Sequence, residues 1–153
     1  MLRTFSKGGV HPPENKLSAG REIVELPLPA SVIVPLSQHL GSPAIPIVNK
    51  GDIVKTGQLI AHADGFVSAN IHAPVSGKIL KIDDCIDISG YKKPAIFIER
   101  EGDEWIEGVD LTDTLVTSIP SSSENIISII ADAGIVGLGG ATFPTHVKLS
   151  VPR

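Results

Sequence analysis

The stretch Val48-Asn49-Lys50-Gly51-Asp52-Ile53-Val54-Lys55-Thr56-Gly57-Gln58-Leu59-Ile60, read together with His72-Ala73-Pro74-Val75-Ser76-Gly77-Lys78-Ile79, decides the fold. Gly51-Asp52 makes a tight turn, because glycine accepts backbone conformations that other residues resist. Ile53 and Val54 then enter a sheet, Gly57 turns the chain again, and Leu59 returns to the core. On either side the same pattern continues. Strand signals fall at residues 23–26, 31–35, 45–48, 58–62, 66–72, 78–82 and 95–99, separated by turns such as Gly41-Ser42-Pro43, Asp64-Gly65, Ser76-Gly77 and Ser89-Gly90. Short strands at close spacing with glycine turns predict a small β barrel or sandwich.

Composition agrees. The 153 residues hold fifteen glycines and twelve prolines, many for this length, which favours a turn-rich, mostly β chain over a helical bundle. Hydrophobic residues make up 42%, enough for a core, and charged residues 20%. The net charge of −4 lacks the basic stripe that a nucleic-acid backbone requires, and 4% aromatics leave little for base stacking, so nucleic acid is not an expected partner. A single cysteine, Cys85, excludes a disulfide framework and an all-cysteine metal or iron–sulfur site within these residues. No stretch approaches the roughly 20 apolar residues that span a bilayer, so membrane association is expected through partners.

Residues 1–21 are polar and rich in Gly and Pro, and read as an arm without regular structure. The barrel is expected over 22–100. From Glu99 to Asp113 acidic residues dominate, with Arg100 the lone cation; a solvated linker over 101–120 is expected, tied down by Trp105. Residues 121–134 carry the clearest helical signal. Ser121 and Glu124 have capping-box spacing, Ile126, Ile129, Ile130 and Ala133 recur on one face, and Gly134 suits the position just past the helix end.

A glycine loop follows: Gly137-Leu138-Gly139-Gly140-Ala141-Thr142-Phe143-Pro144-Thr145-His146-Val147-Lys148. Pro144 suits the first turn of a new helix, with Thr142 or Phe143 as its cap. Glycines allow close backbone approach to a phosphate, and free N–H groups favour negative charge. Lys148, about one turn into the helix, could pair with that charge. The glycine spacing and the preceding helix both differ from a dinucleotide-binding fingerprint.

Two resemblances follow from these residues. The segments 48–60 and 72–79 resemble the biotinyl/lipoyl carrier family, a barrel-sandwich hybrid. Such carriers attach their cofactor to a lysine on the hairpin between the two halves. Here the equivalent place falls near Phe66, and residues 61–72 contain no lysine, so covalent attachment has no nucleophile. The glycine loop resembles the flavin-mononucleotide loop shared by the NADH-binding subunit of respiratory complex I and the C subunit of the Rnf/Rsx electron transport complex. It lacks the arginine of the complex I version. Phe5, the segment Gly8-Gly9-Val10-His11-Pro12-Pro13-Glu14-Asn15-Lys16, Leu36-Ser37-Gln38-His39-Leu40-Gly41, Phe66-Val67-Ser68 and Ile71-His72-Ala73-Pro74 extend the resemblance to the Rnf C subunit along nearly the whole chain.

The second resemblance implies a barrel-sandwich hybrid followed by the start, over 121–153, of an α/β flavin domain, with the rest of that domain absent. It implies a parent that moves electrons between NADH and ferredoxin through FMN and two 4Fe-4S clusters, the clusters lying in a later segment. It implies other Rnf subunits as partners and a peripheral place on the cytoplasmic face of a bacterial inner membrane, with electron flow coupled to ion translocation. Carried over onto this sequence, the flavin-phosphate contacts are Gly137, Gly139, Gly140 and Lys148, with Ala141 and Thr142 beside them. The fragment by itself is expected to hold no cofactor tightly. The rival expectation is a non-catalytic scaffold that docks a partner. His11, His39, His62, His72 and His146 are scattered and read as loop or face residues rather than metal ligands, and Cys85 as an inert loop or strand residue.

Overall fold

A computed structural model describes residues 13, 15–87, 89–115, 117–118 and 122–150. Phe5, residues 8–12 and Glu14 of the leading motif, and Ser121 of the expected cap, lie outside the described residues.

Two antiparallel sheets enclose one core. The first joins β1 (Ser31–Pro35), β7 (Lys92–Arg100), β6 (Gly77–Ile86) and β3 (Ile53–Val54), in that spatial order. The second joins β2 (Ile45–Pro46), β4 (Leu59–His62) and β5 (Ile71–His72). The first sheet sends Val34, Val54, Ile79, Ile96 and Ile98 inward; the second contributes Ile60, Ala61 and Ile71. Ile60, Ile79, Ile96 and Ile98 are fully buried. Each such side chain contributes on the order of 1.5–3 kcal/mol when removed from water.

The deciding hairpin forms as its residues demand. Gly51 and Gly57 both take positive φ, at 97° and 83°. Val54 is buried and pairs with Gly77, while its neighbour Ile53 points outward. Leu59 is only half-buried; the core residues are Ile60 and Ala61, both at zero exposure. A bulge between Leu59 and Ala61 against β5 lets two consecutive side chains face inward, which strict alternation forbids.

Several expected strands change. Residues 23–26 form none: they are exposed and carry no regular secondary structure. Apolar, β-branched residues become a strand only where a neighbour takes their backbone hydrogen bonds, and here the sheet starts at Ser31, where β1 meets β7. Residues 66–72 shorten to Ile71–His72, whereas the signals at 78–82 and 95–99 lengthen into β6 and β7, the longest pair in the molecule. Their outer halves are largely exposed, so polarity alone hid them; Lys81 over the Phe97 ring, 4.5 Å from its centroid, and a Lys81–Asp83 ion pair cover that surface.

Glu99 and Arg100 belong to β7. Beyond them the chain stays on the barrel. Glu101 N–H donates to the Ser76 carbonyl, and Ser76 Oγ donates to the Glu101 carbonyl and accepts from Glu104 N–H. Thr56 exchanges backbone hydrogen bonds with Glu104 and Ile106, so Trp105 lies beside Thr56 as a one-residue parallel bridge.

Two helices follow. Helix α1 spans Ser123–Asp132 and α2 spans Thr145–Leu149. The cap of α1 is Ser122, one residue later than the sequence spacing indicated: its hydroxyl accepts from Asn125 N–H at 3.2 Å. Three serines in a row make each a candidate, and only the point where the backbone turns extended, at Ser122 (φ −111°, ψ 143°), selects one. The half-buried face is accordingly Ile126, Ile127, Ile130 and Ala131, with Ile129 and Ala133, both expected on it, exposed instead. Gly134 (φ 65°) ends the helix as expected: its N–H reaches the Ala131 carbonyl, and Ile135 N–H reaches that of Ile130.

Candidate functional site

The helical end sits against the barrel through specific contacts. Asn70 Nδ2 donates to the Asp132 carbonyl at 3.2 Å, and Leu40 N–H donates to the Thr142 carbonyl at 3.3 Å. Gly134 is pressed so closely that a Cβ there would fall 2.2 Å from the Asn70 carbonyl oxygen.

Between the helices lies the glycine loop. Val136 and Pro144 pair as an antiparallel bridge that closes it, with Gly137 N–H donating to the Phe143 carbonyl and Thr145 N–H to that of Ile135. This corrects the expected helix start. Pro144 is not in the first turn but at the cap position, extended and fully buried, and neither Thr142 nor Phe143 caps the helix. Thr142 instead takes a left-handed φ of 45° to bring the chain back toward Pro144.

The site residues therefore divide. The Gly137 N–H is paired within the loop neck. Leu138, Gly139, Gly140 and Ala141 are exposed, and no described protein group takes their amides. A Cβ at Gly139 or Gly140 would meet nothing within 4 Å, so the space around them is open, and the positive φ of 116° at Gly140 is what calls for glycine there. Lys148 folds back from α2: its Nζ stands 5.7 Å from the centroid of the Phe143 ring and 3.2 Å from where a Cβ on Gly137 would sit. The ammonium thus lies against the loop neck, and even a Cβ at position 137 would crowd it. Four free amides and one ammonium form a donor set suited to a phosphate.

A cavity of about 720 Å³ opens where this loop faces the barrel. Gly140, Ala141 and Thr142 line one side; Ile33, Leu40 and Ile86 are among the residues of the other. Sequence reasoning placed the loop but not this facing wall, since no local periodicity links residue 33 to residue 141. His39 stands at the junction, buried to 7% exposure. Its Nε2 accepts from Ala69 N–H at 3.1 Å and lies beside Ser68 Oγ, whose hydroxyl donates to the Ser42 carbonyl. His39 is thus a loop residue, as expected, and ties the segment at 39–42 to the one at 68–69. His62 Nδ1 meets its neighbour's carbonyl, His72 is half-buried on β5, His146 is half-buried on α2, and His11 lies outside the described residues. Burial holds the His72 imidazole below its ordinary pKa. Cys85 is a half-buried residue of β6. Among the described residues no helix is long and apolar enough to cross a membrane.

At the hairpin joining β4 and β5, Phe66 is 65% exposed and no lysine is present. Two short antiparallel sheets around one core, with that lysine-free hairpin, define a barrel-sandwich hybrid without a cofactor-attachment residue. The chain belongs to the RnfC barrel sandwich hybrid domain family, which matches residues 4–103. It is 47% identical, over 99% of its length, to the C subunit of the proton-translocating ferredoxin:NAD(+) oxidoreductase complex of Clostridium ljungdahlii. It is 43% identical over 95% to the Na(+)-translocating counterpart of Acetobacterium woodii, and 44% identical over 98% to the C subunit of the ion-translocating oxidoreductase complex of Rhodobacter capsulatus. It spans 33%, 33% and 29% of those relatives, about a third of their length.

Proposed function

We propose that this chain is the leading part of the C subunit of an ion-translocating ferredoxin:NAD(+) oxidoreductase complex, and that its glycine loop holds the phosphate of FMN. The barrel, near residues 22–100, is then a scaffold; residues 101–120 connect it to the beginning, at 121–153, of a flavin domain completed by later sequence. The observation that carries the reading is the pairing of open amides at Leu138, Gly139, Gly140 and Ala141 with the Lys148 ammonium folded over Gly137. The relatives' names supply the setting: ferredoxin, NAD and the other subunits of the complex as partners, and ion translocation as the coupled work. Association with the cytoplasmic face of the inner membrane, and 4Fe-4S clusters in the remainder of the protein, complete the proposal.

FMN when bound supplies the exchange between hydride and single electrons, chemistry that no side chain can perform. The residues here would do something simpler. The amides of 138–141 bind phosphate oxygens without needing a counter-charge of their own, and Lys148 adds a charge-assisted hydrogen bond. Gly137 keeps the path to that ammonium clear. In the full-length protein, Lys148→Ala should weaken FMN binding about ten- to a hundredfold, as expected for one lost hydrogen bond to a charged group. Flavin fluorescence titration reads this directly, and an affinity unchanged within about twofold rejects the phosphate site.

A second reading has its own observation. Ile23, Val24, Leu26 and Leu28 are 68–102% exposed along a segment outside both sheets. An apolar strip of that kind favours a docking role for the barrel, independent of the loop.

A further inference from the structure

We infer that Asn70 is a positioning residue for the glycine loop: the barrel segment 63–70, where a carrier would bear its cofactor, serves here as a bracket that grips the loop on both flanks. The inference rests on the phosphate reading of the loop and adds what fixes that loop in space.

The bracket has two arms. Asn70 is the first. Its Oδ1 accepts the Ala63 N–H at 2.9 Å, which holds the side chain within its own hairpin. Its Nδ2 is thereby turned to the Asp132 carbonyl, 3.2 Å away at the end of α1. Its backbone carbonyl is the surface against which Gly134 is pressed, and the positive φ of Gly134 allows that close fit. One residue thus meets α1 and the turn after it, ahead of the exposed stretch 138–141. The second arm is Leu40, whose N–H donates to the Thr142 carbonyl behind that stretch.

The arms are tied to each other beneath the surface. Ser42 N–H donates to the Val67 carbonyl at 3.0 Å, and a Cβ on Gly41 would collide with that same oxygen. Ser68, fully buried, accepts from Asp64 N–H and donates to the Ser42 carbonyl. His39 Nε2 stands 3.0–3.1 Å from the Ser42 carbonyl, the Ser68 hydroxyl and the Ala69 N–H. A satisfied buried polar network is rigid, so the spacing of the two arms is set. The helical end, with no buried residue in α1 or α2, has little of its own to direct the loop. Held from the barrel, the loop meets its ligand already oriented, and less binding energy is lost to ordering it.

Asn70→Asp tests this in the full-length protein. One carboxylate oxygen still accepts from Ala63 N–H, while the other faces the Asp132 carbonyl with no proton to give. FMN is titrated by flavin fluorescence and inorganic phosphate by phosphorus NMR. Phosphate needs only the loop; FMN needs the loop in register with the rest of its pocket. Asn70→Asp should weaken FMN about three- to tenfold, the loss of about one hydrogen bond, with phosphate affinity and melting temperature unchanged. Equal weakening of both ligands would mean that Asn70 merely keeps the loop folded, and overturns the positioning role. FMN affinity unchanged within about twofold overturns it too. If Asn70→Asp lowers the melting temperature, Asn70→Ala, which brings no charge to the Asp132 carbonyl, repeats the test with the same outcomes. FMN weakened in Lys148→Ala but not in Asn70→Asp removes the bracket alone. No effect of Lys148→Ala on either ligand removes the phosphate site, and the bracket's role with it.

Discussion

The barrel and the helical end are built on different principles. The barrel closes twelve buried apolar residues between two sheets. The helical end has no buried residue in α1 or α2; its one fully buried side chain is Pro144, in the loop neck. The barrel therefore generates its own stability, whereas residues 122–150 are held by a few close fits to it: Gly134 under Asn70, and Thr142 against Leu40. A region with little core of its own can leave backbone donors exposed, which is what a ligand loop needs. A core of buried isoleucines cannot, because every amide within it must be paired.

If this contrast is right, the largest effect should come from the barrel. Ile79→Ala, at a site with zero exposure, should cost about 2–5 kcal/mol in urea denaturation. The same truncation at half-buried Ile126 should cost less than about half of that; equal losses would break the comparison.

Gly134→Ala sharpens it. A Cβ there strikes the Asn70 carbonyl and strains a positive φ, so about 1–3 kcal/mol should be lost by the helical end alone. Hydrogen exchange should quicken in α1 and α2 while β6 and β7 stay protected. Quickening throughout would show that the two regions unfold as one.

Ser122→Ala removes the hydroxyl that accepts from Asn125 and should cost about 1 kcal/mol, again confined to α1. Ser121→Ala should cost less, which directly tests the one-residue displacement of the cap.

The smallest effect concerns pH. His72 has its pKa depressed in the folded state by burial, so the unfolded chain binds the proton more readily. Its contribution is present above the unfolded pKa and is lost as pH falls through the folded one. Stability should thus decline modestly on acidification below the ordinary histidine range, and His72→Gln should flatten that slope. A slope unchanged by the substitution assigns the acid sensitivity elsewhere.

Local signals were legible to the extent that they are local. The turns at Gly51 and Gly57, the entry of Ile53 and Val54 into a sheet, the helix stop at Gly134 and the lysine-free hairpin at Phe66 each follow from residues within a few positions of one another. The resemblance carried the family. The strand expected at residues 23–26 failed because apolar, β-branched residues favour a sheet surface but do not supply a partner strand. The cap moved because Ser121, Ser122 and Ser123 are locally equivalent.

By itself, the sequence determined a glycine-punctuated β barrel, a capped helix and an exposed glycine loop, since turns and caps are hydrogen-bonded rings closed over three to five residues. Only the tertiary structure decided that Thr56 would bind residues 104–106, that a bulge would bury Ile60 and Ala61 together, and that Ile33 and His39 would face Ala141 and Thr142. Those pairings, the bulge apart, join residues tens of positions from one another. Their energy comes from shape and burial in the assembled chain, which no short window of residues contains.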